Sequence, residues 1–443
     1  MPRDAEQDGR SMHYFQYQRR ALCAEGVPLQ RIAREVGTPT YVYSAATLRR
    51  HYQAMDRAFG ERAHLVCYSV KACSTLGVLS LLAREGSGFD IVSGGELYRA
   101  LAAGAQPERI VYSGVGKTAE EIAFALDRGI LAFNVESEDE LSAIASIARR
   151  RRVRAPVALR VNPGIGARTH HHIDTGRSHT KFGIPLARAA DLYRRHRRTP
   201  GLRFVGVDCH IGSQMTELGP LSRAVREAAS LYRTLVSEGF ELELLDVGGG
   251  LGITYVHEAP PEPAAYAEAV ARAAGDGPTR LIVEPGRVVV GNAGLLLTRV
   301  VYRKDGVGRR FAIVDAGMND LIRPALYEAR HDIAPVEKAP RSQTFDVVGP
   351  ICESADVFAR SVRLPALERG DLLAIMSAGA YGMSMGSNYN SRPRPAEVLV
   401  DGKEFAVIRE REGYEDLVRG ESAGPERRGR RALGRRGKPS TSA

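Results

Sequence analysis

The sequence predicts an α/β protein: a closed (β/α)8 TIM barrel over about residues 45–292, joined to an antiparallel β-rich domain over 293–417. Three observations predict it. A short apolar run followed by a longer amphipathic segment recurs eight times before residue 292, as strands and their covering helices do in a parallel sheet. The first strand–helix turn carries no G-x-G-x-x-G, which counts against the alternative, an open doubly wound sheet. After about residue 295 the texture changes to short β-rich runs separated by turns.

The elements follow in order. Residues 1–44 are too few for a domain and are expected to add elements to the β unit before the chain enters the barrel. The barrel strands are read at residues 65–70, 89–92, 110–112, 131–133, 157–161, 204–207, 244–247 and 281–283. Segments between them, such as "GGELYRALAAG" and "TAEEIAFALDRG", space apolar residues by three and four, as helices packed on a sheet require. The β domain is read from "GLLLTRVVYRK", "RRFAIVDAG", "QTFDVVGPIC", "DLLAIMSAGAY" and "AEVLVDGKEFAVIRER". The remainder, 418–443, mixes arginine with glycine, proline and serine and reads as a disordered basic tail.

Composition narrows the class. The net charge of +10 invites a nucleic-acid reading. From Arg419 onward, however, eight basic residues face two acidic ones, so the body is only mildly basic, and no specific nucleic-acid partner is expected. The start, "MPRDAEQDGR", has no apolar stretch of signal-peptide type, and no run is long enough to span a bilayer. Five scattered cysteines suit neither a disulfide framework nor a thiolate metal site. A soluble, cytoplasmic protein is expected.

Barrel chemistry lies at the C-terminal ends of the strands. Those ends carry Lys71, Asp90 and Ser93, Ser113, Asn134 and Glu136, Asn162, His210, Gly248-Gly249-Gly250, and Glu284. Lys71 stands out because only seven of the 62 basic residues are lysine. Unlike arginine, a desolvated lysine can lose its proton and act as an amine nucleophile; the other reading is a strand-end cation paired with a carboxylate. "DVGGGLG" after the seventh strand suits a phosphate cradle, or a plain flexible turn. His210 and Glu284 could likewise be a packed core histidine and a surface carboxylate. Pyridoxal 5′-phosphate (PLP) uses the whole set: a lysine for its Schiff base, a phosphate cradle, and a carboxylate to keep its pyridine nitrogen protonated. A class I aldolase lysine would leave that carboxylate unexplained.

With "YSVKAC", "FDIVSGGEL", "RVNPG", "TKFGI", "HIGSQ", "DVGGGLG" and "EPGR" in the barrel, and "DAGMNDLIRPALY", "VGPICESAD" and "AYGMSMGSNYNSRPRPAEVLV" in the β domain, the chain resembles the fold type III PLP-dependent decarboxylases from about residue 25 to 410. The last three motifs point to the branch that acts on meso-2,6-diaminopimelate. The resemblance implies decarboxylation of that compound to L-lysine and CO2, the last step of lysine biosynthesis. It also implies that Lys71 bonds the cofactor, Asp90 lies near that lysine, and His210 stacks on the ring. Ser213, Gly248, Gly249, Gly250 and Tyr381 would hold the phosphate, and Glu284 would pair with the ring nitrogen. Arg287, Arg323 and Tyr327 would bind the distal carboxylate of the substrate, with Tyr381 also at the substrate. Cys352, as proton donor, and Glu353, for the distal ammonium, would come from the other subunit of a homodimer.

The rivals are a decarboxylase of another basic amino acid, a racemase (where an arginine usually replaces Glu284), and a regulatory protein that keeps the fold without turnover. Thr180 stands where the family usually has serine. The histidines at 170–172 and 179 are read as loop residues, and no metal is assigned.

Overall fold

The structure, a computed structural model, describes residues 12–166, 180–340 and 342–424. The histidines at 170–172 and 179, and the tail from 425 onward, lie outside the described residues. The barrel strands are His64–Ser69, Gly88–Ile91, Ile110–Tyr112, Ala132–Val135, Ala155–Asn162, Leu202–Asp208, Leu244–Asp246 and Arg280–Val283. Each pairs in parallel with the next, and the last pairs with the first through Leu281 and His64, closing the sheet. The eight-run reading of the sequence is therefore a closed barrel rather than an open sheet.

Side chains alternate across a strand with period two, and closure turns that period into layers. Leu65, Cys67, Val111, Ala132, Ala158, Val205, Leu244 and Ile282 form an apolar floor inside the barrel. Two residues further along the strands come Ser69, Asp90, Ser113, Asn134, Arg160, Asp208, Asp246 and Glu284, all polar and all buried. In the sixth strand a register shift between Phe204 and Gly206 absorbs one residue and still delivers Asp208 to this ring. The outward-facing set, including Val66, Tyr68, Phe133, Leu159, Leu245 and Val283, joins the helices in the main core.

Seven helices follow the first seven strands, from Leu76–Arg84 round to Pro263–Ala274. The eighth strand is followed only by the four-residue Arg287–Val290, and Ala45–Arg57, which precedes the first strand, fills the gap against Pro263–Ala274 and Leu76–Arg84. Local sequence fixes where these helices begin. The side chains of Ser93, Thr118 and Ser137 accept from backbone N–H groups in the first turn, and Glu121 completes a reciprocal capping box with Thr118.

The second sheet is mostly antiparallel, with two parallel pairings that the sequence reading did not anticipate. Thr40–Ser44 runs parallel to Ala396–Asp401 and antiparallel to Gly294–Gly306; Arg309–Val314 runs parallel to Gln343–Val348. Parallel neighbours need a long crossover, and in the first case that crossover is the whole barrel. Upstream, Phe15–Gln18, Ala21–Ala24 and Val27–Pro28 form a small antiparallel sheet. No helix among the described residues is long and apolar enough to cross a membrane.

Barrel and sheet meet at Glu397, which is fully buried. Its carboxylate accepts from Tyr43 Oη at 2.8 Å, from Thr75 Oγ1 at 2.7 Å and from Arg409 Nε. Thr75 opens the first barrel helix, so one acid ties both units together. Glu397→Ala leaves three donors without their acceptor and is expected to lower stability by on the order of 2–3 kcal/mol, read as a fall in the urea midpoint. Glu397→Gln, which keeps an acceptor for the two hydroxyls, should cost less.

Candidate active site

Lys71 lies in the short 3-10 turn Val70–Ala72 that ends the first strand. Its Nζ donates to Asp90 Oδ2 at 2.6 Å, and the same oxygen accepts from Ser69 Oγ at 2.8 Å. Ser69 also reaches the carbonyl of Glu284 at 3.0 Å, linking the first strand to the end of the eighth. Asn134 Nδ2 is the hub of the polar ring, at 3.1 Å from Ser113 Oγ, 3.0 Å from Asp246 Oδ2 and 3.4 Å from Glu284 Oε1. On the far side Arg160 Nη1 donates to Glu136 Oε1 at 2.7 Å, with Asp208 4.0 Å from its Nε.

The ring holds more acid than base. Asp90, Asp208, Asp246 and Glu284 face only Arg160, itself engaged by Glu136, and Lys71. Oxygens of Asp208, Asp246 and Glu284 all lie within 4.8 Å of one another. Burial, and then the neighbouring acids Asp246, Asp90 and Asp208, push Glu284 well above the usual carboxylate range. Burial pushes Asp246 up to about 6, even with hydrogen bonds from Gly248 and Asn134 opposing it. Burial and Asp246 likewise raise Asp208. Like charges this close in a low dielectric keep protons.

Lys71 responds in the opposite direction from the one desolvation suggests. Burial favours loss of its proton, but Asp90, Glu284 and Tyr381 outweigh it and hold its pKa raised. The free side chain is an ammonium that serves as counter-ion to the ring, with 34 % of its surface still open. Of the two sequence readings of Lys71, the strand-end cation paired with a carboxylate is the one the structure displays, with part of the side chain left open.

Above the ring, His210 follows the sixth strand. Its Nδ1 accepts from the N–H of Gly249 at 3.1 Å, which places the ring proton on Nε2. Burial, Arg160 and Lys71 push its pKa well below the ordinary value, so the imidazole is neutral. The glycine loop packs against it. A Cβ at Gly248 would press into the His210 ring, one at Gly249 into the Glu284 carbonyl, and one at Gly250 into the Gly212 carbonyl. The loop therefore presents backbone alone.

Beside the loop, Ser213 Oγ accepts from Arg287 Nε at 3.3 Å and Nη2 at 3.1 Å. Arg287 also donates to Tyr255 Oη at 2.5 Å, and its guanidinium lies 4.8 Å from the centre of the Tyr381 ring. Tyr381, in the left-handed backbone region at φ 56°, is held by its N–H on the Ala72 carbonyl at 2.8 Å, which brings this cluster against the Lys71 turn. Arg323 opens the helix Arg323–Tyr327, so Tyr327 follows one turn on. Arg323 lies over the Tyr255 ring at 4.5 Å and donates to His331 Nε2 at 2.9 Å.

The structure thus gathers Lys71, Asp90, His210, Ser213, Gly248, Gly249, Gly250, Glu284, Arg287, Arg323 and Tyr381 at one end of the barrel. Cys352 and Glu353 are exposed on a β-domain loop, where Cys352 N–H donates to Asn390 Oδ1 at 3.0 Å and Glu353 accepts from Tyr389 Oη at 2.8 Å. Of the other rim residues, Ser93 caps a helix, Glu136 pairs with Arg160, and Asn162 donates to the Phe182 carbonyl. Sequence reasoning missed Asp208, Asp246, Arg160, Tyr255 and His331. For the first three a signal existed: a charged residue two places beyond an apolar floor residue for Arg160 and Asp246, and three places for Asp208, where the register shift adds one.

The donor set fits a pyridoxal cofactor. It offers a lysine amine beside an acid, a deep carboxyl of raised proton affinity, a neutral imidazole, and a loop with no side chains to obstruct a phosphate. Fold and site together define a barrel-type pyridoxal enzyme. The family model "Pyridoxal-dependent decarboxylase, pyridoxal binding domain" matches residues 45–291. The diaminopimelate decarboxylase of Vibrio cholerae is 50 % identical over 418 residues, 94 % of this chain and 100 % of the relative. The crystal structure of the Helicobacter pylori diaminopimelate decarboxylase with L-lysine superposes with a TM-score of 0.86 at 43 % identity, covering 88 % of this chain and 98 % of that one. The M. jannaschii diaminopimelate decarboxylase with L-lysine gives 0.88 at 37 %, covering 93 % and 98 %. The chain belongs to the diaminopimelate decarboxylase family of pyridoxal-dependent decarboxylases.

The acid ring carries a testable cost. An acid whose folded pKa is raised destabilises the fold when ionised. For Asp246, raised from 3.8 to about 6, the penalty is absent below the lower value, grows between them and is complete above about pH 6. In the cofactor-free protein, Asp246→Asn should therefore raise the melting temperature by a few degrees at pH 8, with the gain shrinking towards pH 4. A gain independent of pH would show that charge at Asp246 is not its source.

Proposed function

We propose that the protein removes CO2 from meso-2,6-diaminopimelate and releases L-lysine, as its family membership implies. The observation that carries this reading is the pair Arg287 and Arg323. Both are buried, and among the described residues neither has a carboxylate within ion-pair distance. Such a pair stabilises a bound carboxylate through charge-assisted, fork-like hydrogen bonds. Placed as substrates, with the α-carbon at the reacting end, lysine, ornithine and arginine carry no carboxylate at the far end and would leave these cations unanswered, whereas L-lysine bound as product keeps its carboxylate at that end. Discrimination that rests on buried groups left unpaired is steep.

Bound pyridoxal 5′-phosphate supplies an electron sink for the pair left behind as the substrate carboxylate departs. Lys71 would bond the cofactor, and Gly248–Gly250, Ser213 and Tyr381 would hold its phosphate. Glu284, whose proton affinity the ring raises, would hold a proton at the pyridine nitrogen. His210, locked as the neutral Nε2–H tautomer, would cover the ring face without adding positive charge. Arg287, Arg323 and Tyr327 would fix the far end of the substrate, so that only one end reaches Lys71.

The proton returned to the substrate carbon would come from Cys352 Sγ, with Glu353 meeting the distal ammonium. Both are exposed on the surface of the single chain, which supports a homodimer whose partner supplies them. The five free cysteines suit a reducing, cytoplasmic compartment.

Two experiments test this reading. Offered diaminopimelate, lysine, ornithine and arginine separately, the PLP-loaded enzyme should release CO2 from the first alone, and Arg323→Ala should cost at least about a hundredfold in kcat/KM. Release from lysine or ornithine instead would favour the other basic amino acids. For the shared site, Lys71→Ala and Cys352→Ala should each be inactive. Subunit exchange between them should restore about a quarter of wild-type activity, because half the dimers formed are mixed and each has one intact site. No recovery from a confirmed heterodimer would place Cys352 outside the partner's site.

A further inference from the structure

The guanidinium groups of Arg287 and Arg323 have an unusual set of partners. Arg323 Nη1 donates to His331 Nε2 at 2.9 Å, and its face lies 4.5 Å from the Tyr255 ring centre. Arg287 donates to Tyr255 Oη at 2.5 Å and to Ser213 Oγ, with the Tyr381 ring 4.8 Å away. Every one of these partners is neutral. The Nε of Arg323 is buried with no partner at all. Two cations held together without an acid normally cost stability, so the arrangement makes sense where an anion arrives from outside.

His331 is built to be neutral. Its Nδ1 lies 2.9 Å from the Met376 carbonyl, which can only accept, so Nδ1 carries the proton and Nε2 presents a lone pair to Arg323. Met376 in turn donates its N–H to the Asp332 carbonyl at 2.8 Å, tying down the loop that carries the histidine just before the strand Ile333–Pro335. Burial and then Arg323 push the imidazole down to about 3, in keeping with that tautomer. The acids nearby are engaged elsewhere: Glu258 is bonded by the N–H groups of Tyr255, Val256 and His257, and the Asp332 side chain is exposed. Tyr255 stacks edge-on to His331 at 5.2 Å and so touches all three groups.

We infer that His331 and Tyr255 are positioning residues that set substrate specificity: they orient Arg323 and Arg287 through a lone pair, a ring face and a phenol oxygen, leaving both positive charges free for the distal carboxylate. A carboxylate in the place of His331 would hold Arg323 as firmly and cancel the charge. This inference rests on the proposed assignment of the two arginines to that carboxylate.

The test uses a pair of variants that differ only in charge, His331→Gln and His331→Glu, in the PLP-loaded enzyme. L-Lysine, the product that keeps the distal carboxylate, is compared with cadaverine, which lacks it, by calorimetric binding. Wild type should favour L-lysine. His331→Gln should keep that preference to within about fivefold, and His331→Glu should lose it, with KM for diaminopimelate raised about a hundredfold and kcat changed far less. Equal behaviour of the two variants would overturn the inference, because a merely structural histidine does not distinguish them. If His331→Glu does not fold, Tyr255→Phe is the second probe. Loss of the oxygen facing Arg287 should weaken L-lysine about tenfold and leave cadaverine unchanged, and equal loss of both would count against the role. A wild type without preference for L-lysine would instead refute the assignment of the arginines.

Discussion

The constraint on which this protein turns is the two-residue period of a strand inside a closed barrel. Seven of the eight strands contribute an apolar floor residue, the second having Gly88 at that level, and all eight contribute a rim residue one inward step further on. In this chain every rim residue is polar, from Ser69 round to Glu284. Four of them are acids, and closure brings them together whatever their separation in sequence. Burial, and then mutual repulsion in a dry interior, dictate the electrostatics: the proton affinities of Glu284, Asp208 and Asp246 rise, and Lys71 is drawn to Asp90 as a counter-ion.

One end of the site is therefore acidic and the other cationic. At the acidic end, carboxyl groups outnumber their counter-ions and hold their protons more tightly than ordinary carboxyls. At the cationic end, Arg287 and Arg323 are supported by hydroxyl, imidazole and aromatic groups and retain charge. Neither end is self-neutralising, and each would be completed by a ligand of opposite character: a protonated ring nitrogen below and a carboxylate beside it. Binding energy in such a site comes largely from groups prepared in advance rather than from rearrangement.

Much of this was legible in the sequence, for reasons that differ by residue. The eight strands were readable because buried parallel strands are continuous apolar runs. Lys71, His210, Glu284 and the glycine loop were readable because they sit where those runs stop. Asp208 and Asp246 escaped notice because each is the last residue of its strand, where an acid looks like an ordinary terminus; only the ring shows them facing Glu284. Tyr255 and His331 come from loops far apart in sequence, and nothing local marks either as a support for arginine. Cys352 and Glu353 entered through family resemblance alone, since a single chain leaves them in solvent. The parallel pairing of Thr40–Ser44 with Ala396–Asp401 joins segments more than three hundred residues apart, beyond the reach of any local pattern.

Two of the lysines in this arginine-rich chain have a structural reason to be lysine. Two of the seven lysines hold buried acids, and in both an arginine would not serve. Lys117, with its side chain fully buried, places one Nζ among three oxygens: the carbonyls of Gly114 and Asn134, each at 2.8 Å, and Glu140 Oε1 at 2.6 Å. Three donors on a single tetrahedral atom match that cage, whereas a planar guanidinium spreads its donors over a fork. By gripping the Asn134 carbonyl, Lys117 also fixes the backbone of the residue at the hub of the acid ring. Lys71 has the complementary reason. A guanidinium could neutralise Asp90 equally well, but it keeps its proton in any protein environment, and only a primary amine can both answer the ring's charge and give it up to form a covalent bond.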